Sequence, residues 1–177
     1  MKPKTEKTRS IATAALLASL AILLGYVEYL IPVVPPIAGI KLGLGNIAVL
    51  AALVLLRSDR MAAFIMLTKV TLCSLLFSGV GGFAYSIAGG ICSLFVMTAA
   101  RRFNKLSAAG ISCAGGAAHM SAQVAVAAFI TSSPEVLTLI PILTAVGTAT
   151  GFLNGIIVNL ASSSLKKYLV SDGFISK

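Results

Sequence analysis

Residues 11–31 read IATAALLASLAILLGYVEYLI. About 20 mostly apolar residues carry a helix across the hydrocarbon of a bilayer. This run has that length, with a single charge, Glu28, close to its end. It is longer than the apolar core of a signal peptide, and no small-x-small cleavage site closes it. A retained membrane helix is therefore expected. The rest of the chain has the same character: of 177 residues, 58% are hydrophobic and 11% charged, and the mean hydropathy is +0.99. Soluble domains carry about a quarter charged residues, so this chain lacks the charge to cover a globular surface. Disorder needs the opposite composition, and three cysteines make no disulfide framework.

After this run, Pro32, Pro35 and Pro36 remove backbone donors, which makes residues 32–41 a connection. A short second span is expected from Leu42 to just before Arg57, closed by the polar turn Arg57-Ser58-Asp59-Arg60. The third, residues 61–77, contains Lys69 and ends at Gly79, Gly81 and Gly82. The fourth, residues 83–100, stops at Arg101-Arg102, and the fifth covers residues 106–130. Ser132-Ser133-Pro134-Glu135 is a turn. The last apolar stretch, residues 136–165, is too long for one upright helix at about 1.5 Å per residue. Pro141 suits a first helical turn and is expected to open the membrane helix there.

Six spans place both termini on one side. Twelve of the fourteen basic residues then fall on that side: Lys2, Lys4, Lys7, Arg9, Arg57, Arg60, Arg101, Arg102, Lys105, Lys166, Lys167 and Lys177. The positive-inside rule makes it the cytoplasmic side. The net charge of +9 is thus a topology signal, and no nucleic-acid partner is expected. The expectation is an all-α polytopic protein of the cytoplasmic membrane. It is a single domain over residues 1–177, with a basic cytoplasmic tail at 1–10 and a second cytoplasmic tail at 166–177.

Small residues mark close helix approach in lipid. Ala14, Ala18, Ala21 and Gly25 recur at helical spacing in the first span, and Glu28 continues that face. Gly147, Gly151 and Gly155 recur every fourth residue in the last, with Asn154 beside them. Such stripes serve either internal packing or the docking of a partner, and Ala14 and Ala18 are the docking candidates. A charge at the bilayer centre costs at least about 2.5–3.5 kcal/mol, so Glu28 and Lys69 are expected to face the bundle interior. They can neutralise one another or meet a polar ligand. Lys41 precedes Gly43-Leu44-Gly45-Asn46, where a helix start favours an anion; alternatively it is an interfacial anchor. His119, the only histidine, has Gln123 one turn away, and the pair suits a heterocycle or a buried hydrogen bond. Phe83 and Tyr85 are either interface anchors or a stacking platform. Cys73, Cys92 and Cys113 read as packing residues.

No pair of clustered aspartates holds Mg²⁺ against a diphosphate, no phosphate-binding loop is present, and no nucleophile–base pair stands out. An enzyme is not expected.

Four segments carry a family resemblance: Gly39-Ile40-Lys41-Leu42-Gly43-Leu44-Gly45-Asn46, Phe83-Ala84-Tyr85-Ser86-Ile87-Ala88-Gly89-Gly90, His119-Met120-Ser121-Ala122-Gln123 and Thr150-Gly151-Phe152-Leu153-Asn154-Gly155. Over nearly the whole chain, the sequence resembles the Gx transporters, also labelled heptaprenyl diphosphate synthase component I. It departs from their usual pattern at Gly45, Lys69 and Met120. These in turn are similar to the substrate-binding S components of energy-coupling factor (ECF) vitamin transporters. The resemblance implies six helices, both termini inside and a ligand at the outer face. It also implies docking of a transmembrane coupling subunit, driven by ATPases, on the stripe at Ala14 and Ala18. The expected ligand is a small aromatic or anionic molecule, a flavin by first choice, bound as substrate with no cofactor required. Glu28, Lys41, Asn46, Lys69, Phe83, Tyr85, His119, Gln123 and Asn154 are the expected contacts. Two other readings stay open: a membrane accessory subunit of isoprenoid diphosphate synthesis, and an anchor among the redox subunits of a flavin-based electron-transfer complex.

Overall fold

A computed structural model describes residues 4–31, 41–103 and 105–171. The tail residues 1–3 and 172–177, and all of the expected connection except Lys41, lie outside the described residues. Among the described residues the chain is helical throughout, without a strand: α1 (Lys4–Leu30), α2 (Asn46–Val54), α3 (Asp59–Cys73), α4 (Gly79–Arg102), α5 (Ala108–Ile130) and α6 (Ile140–Ser171). A π-helical turn, Ser74–Ser78, joins α3 to α4, and a 3₁₀ segment, Pro134–Leu139, leads into α6.

Local chemistry sets several of these ends. The Ser58 hydroxyl accepts from the Met61 N–H at 3.2 Å and the Ser107 hydroxyl from the Gly110 N–H at 3.2 Å, each satisfying an orphan donor of a first turn. Helix α6 starts at Ile140, one residue before the proline expected to open it. Helix α1 begins at Lys4, inside the stretch read as a tail, because nothing between Lys4 and Ile11 breaks a helix.

Among the described residues, four stretches are long and apolar enough to cross a membrane: Thr8–Leu30, Asp59–Arg102, Ala108–Ile130 and Pro134–Ser162. The second has 44 residues and folds back on itself. Gly79, at φ 64 and ψ −166, takes a backbone conformation that other residues rarely adopt. At the far end of the hairpin, Arg101 Nη2 donates to Asp59 Oδ1 at 2.7 Å. Of the six expected crossings, five correspond to long helical legs and the second is not seen as a crossing. Helix α2 has 9 residues, about 14 Å at 1.5 Å per residue, against about 30 Å of hydrocarbon.

Helix α2 is short because it is the centre of the bundle. It contacts α1, α3, α4, α5 and α6, and Ala48, Val49, Leu50, Ala52 and Leu53 are at most 1% exposed. A helix that is apolar all round belongs in such a position. The outward faces carry Leu16, Leu23, Phe95, Phe129 and Leu160, all largely exposed, as lipid contact requires. Among the described residues, then, the chain is a membrane-embedded helical bundle.

Arg101 also donates through Nη1 to the Leu53 carbonyl at 3.0 Å, which caps the C-terminal end of α2. Arg101→Met should therefore loosen both the hairpin and α2. The Asp59 side chain is 42% exposed, so solvent screens the ion pair and the cost is about 1 kcal/mol. A thermal melt of the purified protein should show a midpoint lower by a few degrees; an unchanged midpoint would deny the clasp.

Candidate functional site

The segment before α2, residues 41–45, is not helical, and Lys41, Gly43 and Gly45 are buried. Irregular backbone at membrane depth survives only where protein or an aqueous cavity satisfies its polar groups. Three distant helices do so here. The Lys41 N–H donates to Gln123 Oε1 on α5 at 3.0 Å. Asn154 Nδ2 on α6 donates to the Gly43 carbonyl at 3.1 Å. The Leu44 N–H donates to the Glu28 carboxylate on α1. The Thr150 hydroxyl stands 3.3 Å from the Leu42 carbonyl, and its nearer acceptor is the Val146 carbonyl at 2.9 Å.

The charges gather at the same place. Lys69 Nζ lies 3.5 Å from Glu28 Oε2, with side-chain exposures of 7% and 0%, and it donates to Asn46 Oδ1 at 3.4 Å. The backbone of residue 45 must be bare for this: a Cβ there would lie 2.7 Å from Lys69 Nζ and 2.9 Å from the Ala21 carbonyl oxygen. Lys41, 6% exposed, is within electrostatic reach of Lys69 and Glu28. Its ammonium has no hydrogen-bond or ion-pair partner among the described residues, and residues 32–40 contain no acidic side chain. The cluster thus holds two ammonium groups and one carboxylate. An unbalanced charge in a low-dielectric interior is costly unless an anion meets it.

The histidine follows from the glutamine. Because Gln123 accepts through Oε1, its Nε2 is a donor, and it lies 2.9 Å from His119 Nε2. That ring nitrogen must accept, so a neutral His119 carries its proton on Nδ1, which is buried beside Gly89 and has no hydrogen-bond partner among the described residues. His119 also lines Gly43. Asn154 Oδ1 is buried with no hydrogen-bond partner among the described residues.

Of the expected contacts, the structure brings together Glu28, Lys41, Asn46, Lys69, His119, Gln123 and Asn154 around residues 41–45. Tyr85 is also buried, but among Met120, Val124 and Leu143. Phe83 is 40% exposed and sits apart, since residues two apart on a helix do not share a face. The structure therefore does not assemble Phe83 and Tyr85 into one platform. Ala14 and Ala18 lie elsewhere, in the wall of a groove between α1 and α3. Thr150 was not among the expected contacts, although it opens the segment Thr150-Gly151-Phe152-Leu153-Asn154-Gly155. Glu28 and Lys69 form the ion pair that was one of their two expected roles, and Glu28, Gln123 and Asn154, expected as ligand contacts, serve the backbone of residues 41–45.

The sequence profile of one family, described as heptaprenyl diphosphate synthase component I, matches residues 17–161. The matched span contains all the polar side chains of the cluster. No curated protein and no solved structure matches the chain.

Proposed function

The chain belongs to the heptaprenyl diphosphate synthase component I family, and for this member we propose the role of a membrane-embedded solute-binding and transport subunit of the S-component kind. It takes a small aromatic or anionic molecule, a flavin by first choice, at the cluster around residues 41–45. The observation that carries this reading is the charge imbalance: two buried ammonium groups, Lys41 and Lys69, face one carboxylate, Glu28. Secondary transporters place their substrates where a helix is interrupted inside the membrane and a half-helix N-terminus points at the anionic group of the ligand. The start of α2, preceded by the non-helical residues 41–45, offers a helix N-terminus beside the cluster.

The orientation follows from charge. Arg57, Arg60, Arg101 and Arg102 mark one end of the bundle, which the positive-inside rule assigns to the cytoplasm. Lys69 lies ten residues along α3 from Asp59, about 15 Å at 1.5 Å per residue, so the cluster sits from mid-membrane outward. The reading assigns the chain no reaction of its own. Movement of the ligand would draw on partner subunits, with Ala14 and Ala18 as the seat for a coupling subunit.

The experiment is equilibrium binding of the detergent-purified protein to flavin mononucleotide, riboflavin, thiamine and isoprenoid diphosphates. Flavin mononucleotide should bind at micromolar or lower concentration, and riboflavin more weakly, because it lacks the phosphate. Lys41→Ala keeps the backbone N–H that holds Gln123 and removes only the ammonium. It should weaken flavin mononucleotide binding at least about ten-fold, or 1.4 kcal/mol, and leave riboflavin nearly unchanged. Absence of binding by every flavin would remove the flavin assignment.

The family description favours a second reading, an accessory membrane subunit of isoprenoid diphosphate synthesis. It predicts that chain-elongation activity appears when this protein joins a soluble catalytic partner. Preferential binding of an isoprenoid diphosphate, together with that gain of activity, would select it.

A further inference from the structure

We propose that the groove between α1 and α3 holds one anionic phospholipid from the leaflet at the basic end of the bundle, its tail between the helices and its phosphate on Arg60. This stands apart from the polar cluster and from the proposed solute, so either can fail without the other. The groove has a volume of about 670 Å³ and is walled by Ala14, Ala18 and Ile22 on α1 and by Met61, Phe64 and Thr68 on α3. It exists because the facing residues of α1 are small and nothing bulky fills the space between the two helices.

Its length matches a lipid tail. From Ser10 to Ile22, the limits of its wall on α1, is about 18 Å at 1.5 Å per residue. One leaflet of hydrocarbon is about 15 Å deep, half of the bilayer core.

Its charge is confined to the mouth. Arg60 is the only charged residue in the wall among the described residues, and Ser10 and Ser58 lie at the same end. Arg60 is exposed and has no ion-pair partner among the described residues, since the neighbouring carboxylate of Asp59 is taken by Arg101. Arg9 and Arg57, also exposed, add positive potential at this end. A guanidinium binds a phosphate through two parallel N–H groups, and a basic surface next to the bilayer selects anionic headgroups.

A partner helix seated on Ala14 and Ala18 would have to displace the lipid, so the lipid covers the groove when the subunit is alone.

The test is native mass spectrometry of the protein released from nanodiscs made of equal parts phosphatidylglycerol and phosphatidylcholine. One phosphatidylglycerol per chain should be retained, at least about five-fold over phosphatidylcholine. Arg60→Ala should abolish that preference, and Ala14→Phe, which fills the groove, should abolish retention of either lipid. Arg60 is exposed, so its variant decides the matter even if Ala14→Phe fails to fold. Equal retention of the two lipids by the parent protein, or an undiminished preference in Arg60→Ala, overturns the proposal. So does displacement of the bound phospholipid by an equimolar prenyl diphosphate, which would make the groove a site for that compound.

Discussion

Lys69→Met is expected to destabilise the protein by about 3 kcal/mol, because Glu28 loses the ammonium 3.5 Å away and keeps only the more distant Lys41 as a cation. The Glu28 side chain is 0% exposed and that of Lys69 7%, so water cannot replace the lost partner. Asn46 Oδ1 loses its donor as well. Glu28→Gln in the same chain should restore a large part of the loss. The amide removes the unpaired charge and keeps an acceptor for the Leu44 N–H. Glu28→Gln alone should be costly for the mirror reason, since it strands a second ammonium beside Lys41. The double-mutant cycle, read by unfolding free energies in a fixed detergent, should give a coupling of at least about 1 kcal/mol. Additive single effects would mean that the two charges do not depend on one another.

The second large effect is expected at the seam between α5 and α6. A methyl group on Gly151 would run into the Ser112 carbonyl and lie 3.0 Å from Cys113 Cα. These are backbone atoms of a facing helix, so no side chain can rotate away and the helices themselves must separate. Gly151→Ala should cost about 3 kcal/mol or more, the upper end of overpacking penalties, and lower the yield of folded protein. Gly81→Ala is the matched control. A methyl there would come no closer than 4.0 Å to the Tyr85 hydroxyl, and alanine is the better helix former by up to about 1 kcal/mol. The same one-carbon change should therefore be neutral or stabilising in α4. Equal effects at the two positions would show that the seam is not held by backbone contact.

The seam also shows what could be read in advance. The repeat of Gly147, Gly151 and Gly155 is a helical stripe of small residues, and the structure uses it for internal packing against α5. Of the face Ala14, Ala18, Ala21, Gly25 and Glu28, the last four are buried, whereas Ala14 is half-buried at the groove. The second span was harder to read. Residues 42–56 look like one short crossing, but the helix occupies only Asn46–Val54. No side chain caps its start at Gly45, so no local signal marked where it begins.

By itself, the sequence determined that this is a helical membrane protein with its basic residues gathered at turns and ends, and that Glu28 and Lys69 face its interior. Those are properties of run length and of the high cost of a polar group in lipid, and they need no knowledge of neighbours. Only the tertiary structure decided that α2 is the buried centre of the bundle and that Glu28, Lys69, His119, Gln123 and Asn154 converge on residues 41–45. The bonds that settle it join residues 82 and 111 positions apart. Which backbone groups go unpaired depends on where the helix starts, and that start is held by side chains from α1, α5 and α6.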